Sequence, residues 1–300
     1  MRISLSCFNA LQYVFFCILL SGFLVHISAS ASPLFIPNDP SYKPQAFSTS
    51  QLPTDAAKLL QETIASKDSG FRKRKIPELL TLAGQLRGEA KGHLLLRTAY
   101  LQIAVGDRDA AESSFQEIAD GSIKAAEADK VEAQLRVAYF ALSHGDVEEA
   151  IAAFSRIASP DSIADVQTAT DAALRVAFLH RRAKDTAREL GAFRQIAKKC
   201  PLRAEAAYAK LQLAGLLWEI GKGHRSQYEP LKDRVQFLKD SSVECLQIMN
   251  DPDIPYEIRL IAKLIHAENY YFQKDYKSAI PLIEEIISDN IDRVSDSKDI

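Results

Sequence analysis

The chain has 300 residues, of which 47% are apolar and 25% charged, so it can bury a core and does not have the composition of a disordered chain. Its 37 basic and 39 acidic residues give a formal net charge of -2, which excludes a strong overall field toward nucleic acid or an anionic membrane. Gly and Pro number only 12 each, so the composition favours helices, and we expect an all-α protein with no nucleic-acid partner.

The N-terminal segment 1–31 has the pattern of a secretory signal peptide. Arg2 is its only charged residue, residues 13–25 are apolar except for Ser21 and Gly22, and small residues occupy positions 29–31. This pattern predicts cleavage after Ala31 and export to the periplasm or the cell exterior. The alternative is a retained membrane helix, but the apolar run is shorter than the ~20 residues needed to cross a bilayer. We therefore expect no membrane span after cleavage.

A proline-rich segment, 32–53, follows the apolar run. Its five prolines favour extended backbone, so we predict a linker between the export signal and the folded domain. Beyond this segment the chain has two cysteines, Cys200 and Cys245, which could either form a disulfide in an oxidising compartment or remain as buried thiols.

A repeat with an interval of 39 residues occupies the centre of the chain. Seven columns are identical in three copies: Leu96, Leu135 and Leu174; Arg97, Arg136 and Arg175; Ala99, Ala138 and Ala177; Asp107, Asp146 and Asp185; Phe115, Phe154 and Phe193; Ile118, Ile157 and Ile196; Ala119, Ala158 and Ala197. So many matches in a short window exceed what composition produces. The chain is therefore expected to contain one structural unit several times.

Each copy has the pattern of two amphipathic helices joined by a tight turn. Leu96, Ala99, Tyr100 and Ile103 have the i, i+3, i+4, i+7 spacing that places apolar groups on one helix face. Gly106–Asp107 follows, where Gly can adopt the left-handed conformation that ends a helix and Asp can cap the next one. Neither helix can bury its apolar side alone, so neighbouring hairpins must stack.

The pattern A-Y-x5-G-D-x3-A-x3-F-x2-I, from position 99 to 118, resembles the tetratricopeptide repeat (TPR) family, and residues 267–286 resemble it more closely still. The resemblance implies a right-handed α-solenoid of stacked helix-turn-helix hairpins over residues 54–289, followed by a polar tail at 290–300. The interval of 39 exceeds the family's usual 34, so armadillo or HEAT hairpins remain an alternative. The predicted hairpins are 54–87, 88–120, 122–158, 161–199, 203–249 and 254–289.

Two groups of residues are candidates for binding a partner. Arg97, Arg136 and Arg175 recur at one helical position and could present a row of guanidinium groups; alternatively, each pairs with an acid of a neighbouring helix. Trp218, with Tyr208 and Tyr228, could provide aromatic platforms for a glycan.

The sequence contains no motif that predicts catalysis or a bound cofactor. It has no HExxH, GxSxG or CxxC, and its histidines do not have metal-ligand spacing. Residues 221–225, GKGHR, could cradle a phosphate but lack the P-loop spacing and are more typical of a turn. We therefore predict an exported scaffold that binds a protein or peptide, without catalysis, cofactor or metal; the alternative is a solenoid that binds a glycan or another ligand. A third hypothesis is an enzyme whose residues converge only in the fold.

Overall fold

The computed structural model describes residues 52–201, 203–224 and 233–296. These residues lie within one compact unit, Ser48–Ile300. The predicted signal peptide and nearly all of the predicted linker lie outside the described residues.

The described residues form twelve helices and contain no strand. The helices are α1 (Thr54–Ala65), α2 (Ser69–Gln85), α3 (Gly88–Ala104), α4 (Arg108–Ala119), α5 (Glu127–His144), α6 (Val147–Ile157), α7 (Val166–Arg182), α8 (Thr186–Lys199), α9 (Arg203–Lys222), α10 (Arg234–Met249), α11 (Tyr256–Phe272) and α12 (Tyr276–Asp296). Each helix packs against the next one along the chain. The predicted all-α stack of hairpins is confirmed, and α12 continues past position 289, where the polar tail was expected to begin.

The turn inside the hairpin has the same geometry in five copies. A residue with positive φ ends the first helix, and the next residue donates its N–H to the carbonyl five positions earlier. The positive-φ residues are Gly106, Gly145, Lys184, Gly223 and Lys274. In α6, α8 and α12 the Asp after this residue also accepts a backbone N–H with its side chain, as predicted, whereas Asp107 before α4 makes no such bond.

The interval of 39 residues extends to a fourth turn, within the segment 221–225, which the sequence indicated as a turn but did not connect with the repeat. Gly223 lies 39 positions after Lys184 and has a φ of +80°. Gly221 and Lys222 belong to the last turn of α9, so the segment ends a helix and the turn interpretation holds. A Cβ on Gly221 would lie 2.6 Å from Leu238 Cγ, which shows that this glycine allows α9 and α10 to approach closely.

The three aligned copies have the same core. Phe115, Phe154 and Phe193 are each fully buried in the second helix of their hairpin. Each packs edge-to-face against an aromatic ring of the first helix, with centroid distances of 5.2 Å to Tyr100, 5.6 Å to Tyr139 and 5.5 Å to Phe178. These matching environments confirm that the repeat in the sequence is a repeat in the fold.

Both cysteines of the folded domain are free thiols in the structure. Cys200 is half-buried after the end of α8, with its Sγ 3.6 Å from Thr170 Oγ1. Cys245 is fully buried in α10, and this burial raises the pKa of its thiol to about 12. Of the two alternatives, the structure shows separate thiols.

Candidate functional site

The first helices of the hairpins lie next to one another and share polar contacts. Between α3 and α5, Arg97 lies 3.1 Å from Glu132 Oε1 and 3.5 Å from Asp129 Oδ1. His93 Nδ1 lies 2.9 Å from the other oxygen of Asp129. Because Arg97 is only 6% exposed, this contact is an internal one, and it is the pairing with neighbouring acids that the sequence left as an alternative.

A second chain of contacts connects the same two helices. Tyr100 donates its hydroxyl to Glu132 Oε1 at 2.7 Å and accepts a hydrogen bond from Arg136 Nε at 2.8 Å. The Arg136 guanidinium lies 4.8 Å from the centre of the Tyr100 ring. Burial, followed by the charge of Glu132, raises the pKa of Tyr100, so the hydroxyl keeps the proton that it donates.

The next pair of first helices, α5 and α7, repeats the arginine–ring contact in a more open position. The Arg175 guanidinium lies 5.2 Å from the Tyr139 ring and 5.8 Å from the Phe154 ring. Asp171 precedes Arg175 by one helical turn, and burial raises the pKa of its carboxyl. Arg175 is half-buried, whereas the two earlier arginines of its column are buried.

At the following interface the arginine column ends, because position 214 is an alanine. Arg181, one and a half turns after Arg175 on the same helix, takes over the contact: its guanidinium lies 5.3 Å from the Phe178 ring and 5.4 Å from the Phe193 ring. It also donates from Nη1 to Gln212 of α9 at 3.1 Å. The structure therefore keeps a guanidinium over the same two ring positions with a residue that the sequence alignment did not indicate.

A further polar link continues along α7 to α9. Gln167 Nε2 donates to Asp171 at 3.3 Å and to Glu205 of α9 at 3.2 Å. These groups and Arg175 form an accessible area of mixed charge, which we call the α7–α9 patch and define by Gln167, Asp171, Arg175 and Glu205.

The fourth predicted site residue, Trp218, lies near the end of α9 and is half-buried. Lys222 Nζ lies 3.5 Å from the centre of the Trp218 ring and 4.7 Å from that of Phe272 in α11. One face of the indole is therefore covered by a side chain of the same protein. Tyr208 packs against Phe178 at 6.4 Å, and Tyr228 lies outside the described residues.

Within the described ranges, no group of three or more His, Cys, Asp or Glu side chains is arranged to hold a metal ion. The helices in this part of the chain include none that combines the length and the apolar character required to cross a membrane.

Comparison with known proteins gives one kind of similarity. No protein-family model and no curated protein matches the sequence. Two crystal structures of nearly identical TPR-like repeats are similar to the chain; both come from a Podosopora anserina protein described as a kinesin light chain, and one is a variant. Each is 15% identical, with 65% of this chain and 92% of the other covered and TM-scores of 0.37 and 0.38. The consecutive helix pairs of the chain itself define its fold, over the described residues, as an all-helical repeat of stacked hairpins.

Proposed function

We propose that the chain is a non-catalytic scaffold that binds a protein partner along the face formed by its first helices, and that it does so outside the cytosol. The observation that supports this proposal best is the α7–α9 patch. It presents a guanidinium, two carboxylates and an amide on two helices that a hydrogen bond from Gln167 to Glu205 connects. A surface of this kind suits a peptide or helix with both charges, because each group can form a charge-assisted hydrogen bond.

The glycan alternative has less support. A sugar ring binds by stacking on an open aromatic face, but Lys222 lies over Trp218 and Tyr208 packs against Phe178. These two rings are engaged with other side chains of the protein. The mixed polar patch therefore favours a protein partner over a carbohydrate.

The proposed export is supported by the sequence of the first 31 residues. An apolar run preceded by a single Arg and followed by small residues is the pattern that signal peptidase recognises. N-terminal sequencing of the protein recovered from cells is expected to begin at Ser32. Recovery of the chain with Met1 still attached would overturn both the cleavage and the assignment to the periplasm or the cell exterior.

Capture of the partner tests the binding face. An affinity-tagged chain is recovered from the cell envelope with its bound proteins, with Arg175→Ala as the test and Arg156→Ala as the matched control. Arg156 is exposed on α6, a second helix, so its loss removes the same charge from the opposite side of the hairpins. We expect Arg175→Ala to lower capture by about tenfold, as for loss of one charge-assisted contact, and the control to leave it unchanged. Equal capture by both variants would refute the proposed face.

A further inference from the structure

Helix α12 has the same apolar spacing as α6, the second helix of an inner hairpin. Ala150, Phe154 and Ile157 of α6 have the same spacing as Ala279, Ile283 and Ile286 of α12. The middle apolar position of the three is Phe154 in α6 and Ile283 in α12. With this alignment Ile151 and Ile280 are equivalent.

The equivalent residues differ greatly in exposure. Ile151 is 8% exposed and belongs to a buried cluster that includes Ala172 and Leu179 of the following helix, α7. Leu190, which is 39 residues further along, is 5% exposed. Ile280 is 52% exposed. The apolar position that the following helix covers in the inner hairpins is therefore exposed in α12.

Ile280 belongs to a longer apolar surface on one side of α12. Tyr276 is 49% exposed and Ile287 is 41% exposed, and the three residues have the i, i+4, i+11 spacing of a single helix side. We call these three residues the end stripe. An exposed apolar surface of this kind on one helix side indicates that another surface covers it.

The charges beside the end stripe indicate what covers it. Lys277 and Glu284 are both exposed and lie seven residues apart, and therefore on the same side of α12. Two α12 helices in antiparallel contact would place Lys277 of each copy opposite Glu284 of the other. The same arrangement would place Tyr276 against Ile287 and bring the two Ile280 side chains together near the two-fold axis.

We propose that two copies of this chain form a two-fold symmetric dimer through their end stripes. The contact is isologous, since each copy contributes the same residues, and it closes after two copies, so it gives no filament. α12 is suited to such a contact because its 21 residues make it the longest of the described helices. The dimer would leave the first-helix face with the α7–α9 patch, on a different set of helices, free to bind the proposed partner.

Self-association of the purified full-length gene product tests the dimer, measured by light scattering and analytical ultracentrifugation. We expect the mass of two chains at about 100 µM and a variant Ile280→Arg that is monomeric, with dimerisation weakened more than about 100-fold because two isoleucines leave the contact. Val166→Arg is the matched control, since Val166 is 51% exposed on α7, and its dimer should be unchanged. A monomeric wild type, or a dimer unaffected by Ile280→Arg, would overturn the proposal.

Charge reversal tests the antiparallel arrangement. Lys277→Glu and Glu284→Lys should each weaken the dimer by about tenfold, because each creates two like-charge contacts, and the double variant should recover to within about threefold of wild type. Failure of the double variant to recover, or assembly into species larger than two chains, would exclude this interface. Partner capture by the Arg175 variant is read out separately, so either proposal can fail while the other holds.

Discussion

Replacement of Arg136 by alanine is the sharpest test of the contacts between first helices. Arg136 is 3% exposed, donates from Nε to Tyr100 at 2.8 Å and places its guanidinium over the Tyr100 ring. Arg175 occupies the equivalent position one repeat later but is half-buried. Arg136→Ala and Arg175→Ala therefore remove the same atoms, in the first case from a buried position and in the second from a half-buried one.

The expected loss of stability follows from the groups removed. A hydrogen bond to a charged group contributes about 1.5–3 kcal/mol, and a guanidinium over an aromatic ring adds about 0.5–2 kcal/mol, more where it is buried. The buried aliphatic stem of Arg136 contributes further packing. We therefore expect Arg136→Ala to lower the free energy of unfolding by about 3 kcal/mol. For Arg175→Ala, an accessible cation–ring contact, we expect about 1 kcal/mol or less.

Urea denaturation followed by circular dichroism measures both free energies, provided that each transition remains cooperative. A double-mutant cycle of Arg136→Ala with Tyr100→Phe isolates the pair and should give a coupling of about 1–2 kcal/mol. If Arg136→Ala and Arg175→Ala lowered the free energy of unfolding equally, burial would not determine how much each arginine contributes to stability. Absence of coupling between Arg136 and Tyr100 would likewise refute the proposed contact energy.

Three further outcomes are expected. Lys184→Gly should raise the free energy of unfolding by about 0.5–1 kcal/mol, since Lys184 has a φ of +59° that glycine adopts without strain; Gly145→Lys, at the equivalent turn, should lower it. Asn269→Ala should lower the free energy of unfolding by about 1–3 kcal/mol, because Asn269 is fully buried and donates to Ser241 at 2.9 Å. Burial lowers the pKa of His180 and of His266, so below pH 6.5 the unfolded chain binds more protons than the folded chain, and urea titrations should show stability that falls as the pH decreases. The double variant with Gln at both histidines should show a smaller fall, and an equal fall in both proteins would contradict this cause.

The repeat in the sequence predicted the fold because the same local rules recur in each copy. Apolar spacing defines each helix, and Gly–Asp defines the turn. The sequence indicated the fourth turn but not its place in the 39-residue interval. Gly223 repeats the positive φ of the earlier turns, while His224 replaces the aspartate that identified them in the sequence. Lys184 shows the same limit, since a lysine adopts the left-handed conformation that the sequence associated with glycine.

The candidate site was predicted only in part. The sequence placed Arg97, Arg136 and Arg175 at one helical position, but it could not show that the first two are buried and the third is not, because burial depends on the neighbouring helix. It also could not indicate Arg181, whose guanidinium reaches the ring positions from a different place on α7. The column of arginines in the sequence ends at Ala214, whereas the contact between a guanidinium and two aromatic rings continues in the structure through Arg181. A side chain as long as arginine can occupy one site from two helical positions.

The buried ion pairs between α3 and α5 need not add net stability, because the cost of desolvating an ion pair can offset its attraction. We infer that the contact of His93 with Asp129 selects the correct neighbour among similar hairpins, since a mismatched stack would leave these groups unpaired. Asp129→Ala should lower the free energy of unfolding by about 3–5 kcal/mol. The double variant with leucine in place of both His93 and Asp129 should change it by no more than about 1 kcal/mol, because Arg97 retains its ion pair with Glu132. The double variant should nevertheless refold with a lower yield of native protein. A wild-type yield at equal stability would show that apolar packing alone brings α3 and α5 together.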